Sequence, residues 1–187
     1  MPDPSAVMVE AARTRTADVA TPVVRAVGES LPFRGEAFSG CRIERVLMHV
    51  DDPSVVLAEA LRCIEPGGLV TVFEPDWGSF VVRSDVLPER ATWITSVKHP
   101  DVGARLWDLL EDLGCDVLDR VEELSVWRSL ATLERVAGFP AAVERAVAAG
   151  RVDRGDADRC VGEQRQREAI GQFYALIPKI QFIAMKR

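Results

Sequence analysis

The chain has 187 residues and a hydrophobic fraction of 48%, which is enough for one domain with a sizeable core. Charged residues make up 28% and the formal net charge is −6, which excludes the clustered basic surface of a nucleic-acid-binding protein. No apolar run approaches the roughly 20 residues of a membrane span, and no export signal is visible, so we predict a cytoplasmic protein without membrane partners.

The N-terminal stretch predicts a helix, a short strand and a loop. A turn at Asp3-Pro4-Ser5 caps the helix, and the residues at helical spacing behind it are Val7, Met8, Ala11 and Ala12. The β-branched run "PVVRAVGE" predicts a strand that ends at Gly28. "SLPFRGEAFSG" is typical of a loop because of its Pro, Gly and Ser content.

The next stretch predicts strand, helix, helix and strand. "CRIERVLMHV" begins as a strand and changes to helical spacing near Arg45. Asp52 and Pro53 begin a second helix, which we expect to end at Gly67-Gly68 and to bury Leu57, Leu61 and Ile64. "LVTVFE" is nearly all apolar, which predicts a strand covered on both faces of its sheet.

The second half predicts two helical regions and two strands. "DVGARLWDLLEDLG" is an amphipathic helix ending at Gly114, and "CDVLDRVEELSVW" is a long strand. Residues 129–149 predict two short helices broken at Pro140, and residues 153–176 predict one longer helix. "KIQFIAMKR" predicts a final strand, and we expect residues 1–187 to form one α/β domain with a helical insertion over 129–177.

Neither a metal site nor disulfides are expected. The four cysteines, Cys41, Cys63, Cys115 and Cys160, are far apart, and the chain has only two histidines. We predict reduced cysteines that pack as small hydrophobic residues.

Alternation of strands and helices predicts a mostly parallel sheet, in which ligands bind beyond the carboxyl ends of the strands. Three such ends carry polar or aromatic residues. They are Gly28-Glu29-Ser30, Ile43-Glu44-Arg45 and Glu74-Pro75-Asp76-Trp77.

Taken in order, these strand ends and the text between them resemble the class I S-adenosylmethionine-dependent methyltransferases. The resemblance is nearest to the small-molecule group that includes ubiquinone and menaquinone biosynthesis enzymes. The matching text is "GESLPFRGEAFSGCRIERVLMHVDDPSVVLAEALRCIEPGGLVTVFEPDWGSF". It contains the family's Gly-acidic loop, Leu-Pro-Phe, Leu-x-His helix, Asp-Pro, Pro-Gly-Gly and Glu-Pro at about the expected spacing. The resemblance implies a Rossmann-like sheet whose last strand is antiparallel and inserted between its two predecessors.

The resemblance also implies a set of cofactor-binding residues. Glu29 would accept a hydrogen bond from the adenine amino group of S-adenosylmethionine, with Ser30 beside it. Asp3 would hold the ribose hydroxyls, although a helix cap is an equal alternative. Glu44 and Arg45 would line the cofactor pocket, with pairing to neighbouring charges as the alternative.

For the methyl acceptor, a small molecule, the resemblance points to a second set of residues. Leu47 and His49 occupy the Leu-x-His positions, where a histidine more often caps or packs than catalyses. Trp77 and Phe80, together with Trp93, would form an apolar wall. The alternative is that these aromatic residues close the end of the core.

The resemblance implies that the chain starts at the end of the family's second strand, without the first strand and its glycine-rich loop. We therefore expect no cofactor binding at ordinary enzyme affinity, and we expect a homodimer through an exposed sheet edge. The primary interpretation is a methyltransferase-like protein. The alternatives are a truncated, non-catalytic protein that acts as a dimer or binding module and, less well supported, another nucleotide-binding α/β protein.

Overall fold

A computed structural model describes residues 2–3, 5–18, 21–88 and 97–187. The chain divides into two compact units. Unit 1 comprises Met1–Val72, Leu106–Asp119 and Phe182–Arg187, and unit 2 comprises Phe73–Arg105 and Arg120–Gln181. No helix in the described ranges is both long enough and apolar enough to cross a membrane.

Strands and helices alternate through the first half of the chain, and three helices precede the last strand. The elements are β1 (Pro2–Asp3), α1 (Ala6–Arg15), β2 (Val24–Arg25), β3 (Phe38–Glu44), α2 (Pro53–Arg62), β4 (Ile64–Pro75), β5 (Val81–Val82), α3 (Val102–Asp112), β6 (Cys115–Trp127), α4 (Leu130–Ala137), α5 (Ala141–Ala148), α6 (Arg154–Ala169) and β7 (Ala175–Lys186).

The strands form two sheets. β1 and β2 pair in parallel, with Asp3 opposite Arg25. The larger sheet has the order β3-β4-β7-β5, and β6 pairs with β7. β7 is antiparallel to β5, with Val81 opposite Leu176, and it also pairs with β4 and β6. This mixed α/β sheet confirms the predicted Rossmann-like class and the placement of the last strand beside earlier ones.

The first helix is confirmed, but its predicted apolar face is partly wrong. Ser5 caps α1 by accepting a hydrogen bond from the Met8 amide at 3.3 Å. Val9 and Ala12 are buried, whereas Val7 is 78% exposed. Val7 and Met8 therefore lie on the solvent side of the helix and not on its buried face.

Asp52 caps α2 as predicted, because its carboxylate accepts a hydrogen bond from the Ser54 amide at 2.8 Å. Leu57 and Leu61 are buried on the helix as expected. The predicted helix end at Gly67-Gly68 is wrong, because α2 ends at Arg62 and Ile64 already belongs to β4. Both glycines lie in that strand.

Two further local predictions are wrong. The stretch after Arg45 forms a turn over Leu47–His49, closed by a hydrogen bond from the His49 amide to the Val46 carbonyl, instead of a helix. In β4, Val70 and Val72 are buried while Leu69 is 44% exposed, so this part of the strand alternates instead of being covered on both faces.

The two short helices and the long helix of the second half are confirmed as α4, α5 and α6, and α4 and α5 both pack on α6. α6 ends at Ala169, ahead of Gly171 with its positive φ of 70°. Its buried residues are partly polar: Ala157, Cys160, Gln164 and Arg167.

A partly buried polar cluster ties α6 to the segment that follows β5. The Glu163 carboxylate accepts hydrogen bonds from the Ser84 hydroxyl at 2.6 Å and the Asp85 amide at 2.8 Å. It also accepts two from the Arg167 guanidinium, at 2.9 and 2.7 Å. Arg167 in turn bonds to the Asp85 carboxylate at 2.6 Å. These bonds satisfy charges that would otherwise be costly to bury.

Candidate functional site

In unit 1, the Gly28–Ser30 turn presents its polar side chains to solvent. The turn is closed by a hydrogen bond from the Ser30 amide to the Val27 carbonyl at 3.2 Å, and Glu29 and Ser30 are exposed. A Cβ on Gly28 would lie 3.1 Å from Cγ1 of Val56 in α2. Glycine therefore lets this turn approach α2 closely, and the Glu29 carboxylate is available as a hydrogen-bond acceptor.

Two residues of α2 hold the loop that follows this turn. Glu59 accepts a hydrogen bond from the Leu31 amide at 2.8 Å, and Arg62 donates to the carbonyls of Leu31 and Phe33 at 3.3 and 2.9 Å. Glu59 and Arg62 also bond to each other at 2.7 and 2.8 Å. The bonds from Arg62, then from the Leu31 amide, lower the pKa of Glu59 to about 2. We call this Glu59–Arg62 arrangement the loop clip.

Replacement Glu59→Gln is expected to lower the free energy of unfolding by about 1–2 kcal/mol at pH 7, since the loop clip loses its charged acceptor. Because the pKa of Glu59 is lowered on folding, this contribution is present above the unfolded value of about 4.3 and is lost as the pH falls towards 2. Urea unfolding at several pH values measures it, together with hydrogen exchange of the Leu31 amide.

The matched control is Glu10→Gln, because Glu10 also pairs with an arginine three residues later, Arg13, but with both side chains more than half exposed. Its effect should stay within about 0.5 kcal/mol. Equal effects of the two substitutions would contradict the role of the loop clip.

At the end of β3, Glu44 and Arg45 lie together with Arg42. The Glu44 carboxylate is 2.6 Å from the Arg42 guanidinium and 3.7 Å from that of Arg45, so the structure contains the charge pairing that was the alternative to cofactor contact. Arg45 has a φ of 55°, which is uncommon for a residue with a side chain. Backbone strain of this kind clusters at functional sites and switch regions, so this strand end is a candidate for a functional role.

The predicted acceptor residues of unit 1 have different surroundings. Leu47 is fully buried, and His49 is exposed at the end of its turn. Desolvation of the imidazole lowers the pKa of His49. Asp3 lies in β1, and its predicted contact with ribose stays a prediction. Trp93 lies outside the described residues.

In unit 2, the end of β4 is buried and fixed by hydrogen bonds. Glu74 is fully buried, and Asp76 is 7% exposed. The Asp76 amide donates to the Pro178 carbonyl at 2.9 Å, and its carboxylate accepts from the Gly78 amide at 3.0 Å. Gly103 packs against this strand end, since a Cβ there would lie 3.3 Å from the Glu74 carbonyl oxygen.

The aromatic residues after β4 pack on each other. The ring centroids of Trp77 and Phe80 are 5.2 Å apart, and those of Phe80 and Trp127 are 5.5 Å apart. Phe80 is fully buried and Trp77 is 8% exposed, which agrees with the alternative that they close the end of the core. Their contact with an acceptor stays a prediction.

A cavity of about 470 Å³ opens beside Asp76 in unit 2. Its charged lining includes Asp76, Arg120 and Glu122, and its apolar lining includes Leu124, Pro178 and Ile180. This volume is within the range of small-molecule sites. Sequence reasoning singled out Asp76 as part of a strand end but missed Arg120 and Glu122, because they lie within β6 and no motif marks them.

The chain matches the methyltransferase domain family over residues 2–72. An uncharacterized 37.1 kDa protein of transposon TN4556 from Streptomyces fradiae is 37% identical over 155 residues, covering 79% of this chain and 45% of that protein. The chain thus spans less than half the length of this curated relative.

Solved structures show the same fold. Protein BH2331 of Bacillus halodurans matches with a TM-score of 0.63 and 13% identity, covering 99% of this chain and 81% of that one. A SAM-dependent methyltransferase of Thermotoga maritima, TM1293, matches with a TM-score of 0.53 and 17% identity, covering 100% and 72%. The described elements therefore share the Rossmann-like fold of these two proteins.

Proposed function

We propose that this protein transfers a methyl group from S-adenosylmethionine to a small molecule. Its residues 2–72 match the methyltransferase domain family, and its fold is that of the class I methyltransferases. The observation that carries the proposal is the Gly28–Ser30 turn, which lies inside the matching segment. It packs against α2 at Gly28 and presents an exposed carboxylate and an exposed hydroxyl to solvent, and the loop clip fixes the residues that follow.

The residues present fit the adenosine part of the cofactor. Glu29 offers an exposed acceptor for the adenine amino group, on a turn that Gly28 lets pack against Val56 of α2. Glu44 is a weaker candidate, because its carboxylate is already paired with Arg42 and Arg45. The sequence contains no Gly-x-Gly motif for the methionine part.

The cofactor supplies a methyl sulfonium, which is already activated for an in-line displacement. The chain's own residues then have to bind and orient the cofactor and the acceptor and to exclude water. No acid–base pair is required. The cavity beside Asp76 supports a small-molecule acceptor through its size. We also propose a cytoplasmic location, as predicted from the sequence.

Adenosine added to the ¹⁵N-labelled chain is expected to shift the amide resonances of residues 28–31, with a Kd on the order of 1 mM, equivalent to about −4 kcal/mol. S-adenosylhomocysteine is expected to bind in a similar range, well above micromolar Kd. Glu29→Ala should remove most of the shifts. Glu10→Ala, which removes another exposed acid of unit 1, should leave them unchanged.

Failure of adenosine to shift residues 28–31 in a folded sample would contradict cofactor binding and would favour the non-catalytic alternative. Shifts that persist in Glu29→Ala would place the adenine elsewhere. Micromolar binding of S-adenosylhomocysteine would contradict the expected weakness of the methionine part.

Self-association through a sheet edge is the remaining part of the proposal. Among the described residues, β3 pairs only with β4, and β6 pairs only with β7. Either strand could therefore add a further strand from a second copy.

A further inference from the structure

The strand β6 carries apolar side chains that an edge strand normally lacks. Leu118 and Leu124 are each 55% exposed, Val121 is 50% exposed and Val126 is 44% exposed. In β3 the comparable residue is Phe38, at 42%, while Ile43 is buried. Exposed apolar residues on an edge strand favour association with another strand.

The sequence of β6 is self-complementary when two copies run antiparallel about Val121. Arg120 of one copy then lies opposite Glu122 of the second copy, and the two-fold axis repeats this pair. Leu118 lies opposite Leu124 on the same face, also twice, because alternate residues of a strand share a face. Val121 meets its own counterpart on the axis.

Neighbouring registers are less favourable. A shift of the centre to residue 120 places Arg120 opposite itself, and a shift to residue 122 places Glu122 opposite itself. Like charges that lie directly opposite each other destabilise a strand pair. Among these three registers, charge favours the one centred on Val121.

The chosen register has an opposing feature, since Asp119 lies opposite Glu123 on the other face, and the two-fold axis repeats this pair as well. Lys179 of β7 lies 3.7 Å from the Glu123 carboxylate and supplies a cation beside this pair. The repulsion is thus reduced where it occurs.

This inference rests on the self-association proposed above. We propose that β6 is the interface, and that two copies of this chain pair their β6 strands antiparallel about Val121. The occupant of this edge is a second copy because the charges and the leucines complement themselves. Within one chain, Arg120 and Glu122 already form an ion pair, so pairing brings two such pairs into one alternating cluster.

The experiment is sedimentation equilibrium of the full chain and of charge-reversed variants. Arg120→Glu places four acids together at the interface, and Glu122→Arg places four cations there. Each is expected to raise the dimer dissociation constant by roughly a hundredfold. The double variant R120E/E122R restores opposite charges and should return the constant to within about threefold of the parent.

The edge of β3 supplies the matched control, because Arg42→Glu reverses a charge in a similar same-strand pair with Glu44. It should leave the dimer unchanged. A parent chain that is monomeric at high concentration would overturn the self-association itself. A dimer that Arg42→Glu dissociates, or that Arg120→Glu leaves intact, would overturn the β6 assignment alone. Circular dichroism confirms that each variant is folded.

Discussion

Gly68→Ala is expected to lower the free energy of unfolding by about 3 kcal/mol or more. A Cβ at this position would lie 2.3 Å from Cγ2 of Ile64, 2.8 Å from the Ser39 carbonyl oxygen and 2.9 Å from that of Glu65. Ile64 is fully buried, so its side chain has no space into which it can move. The two carbonyls belong to the backbones of β3 and β4, so any shift disturbs these strands.

Urea unfolding followed by far-ultraviolet circular dichroism measures this effect. Gly162→Ala is the matched control, because a Cβ at Gly162 in α6 has no neighbour within 4 Å. In a helix the same substitution should stabilise by about 0.5–1 kcal/mol. One chemical change thus has opposite expected signs at two positions. A loss below about 1 kcal/mol for Gly68→Ala would contradict the close approach of β3 to β4.

Glu163→Gln is expected to lower the free energy of unfolding by about 3 kcal/mol at pH 7. The carboxylate is 14% exposed and accepts bonds from Ser84, Asp85 and Arg167. Glutamine keeps the shape but turns one acceptor into a donor, which then faces groups that also donate. The Arg167 guanidinium, 10% exposed, would lose half of its anionic partners.

The same residue predicts a pH dependence. Burial by itself would raise the pKa of Glu163, but the hydrogen bonds from Ser84, the Asp85 amide and Arg167 together hold it below its ordinary value. A lowered pKa in the folded state means that stabilisation is present above the unfolded value of about 4.3 and is lost as the pH falls through the folded value. The difference between parent and Glu163→Gln should therefore shrink towards pH 3.

Glu144→Gln is the control for this cluster, because Glu144 also pairs with an arginine, Arg154, at 2.8 Å but is 58% exposed. Its effect should be clearly smaller than that of Glu163→Gln, as for other solvated pairs. If both variants lose equal stability, or if the effect of Glu163→Gln does not change with pH, the partly buried cluster does not stabilise α6 against the segment after β5.

Local signals in the sequence were sufficient for the types of most elements. The cap at Asp52 and the break near Pro140 depend on residues within one turn, so neighbouring letters predicted them. The motif text from Gly28 to Phe80 likewise pointed to the family that residues 2–72 match. Where a local pattern fitted two structures, as after Arg45 and at Gly67-Gly68, the prediction was wrong.

The sequence by itself determined the fold class and most helices and strands, whereas the Gly28–Ser30 turn as a cofactor site stays a prediction from the sequence. The tertiary structure alone decided which polar residues are buried and which of the predicted site residues lie in the core. The loop clip joins residues 28 positions apart, and the Ser84–Glu163 bond joins residues 79 positions apart. No periodicity within a helix indicates such partners, and α6 buries polar residues because distant groups satisfy them. Leu47 and Phe80 are buried for a similar reason, since burial depends on what packs on a side chain from elsewhere in the chain.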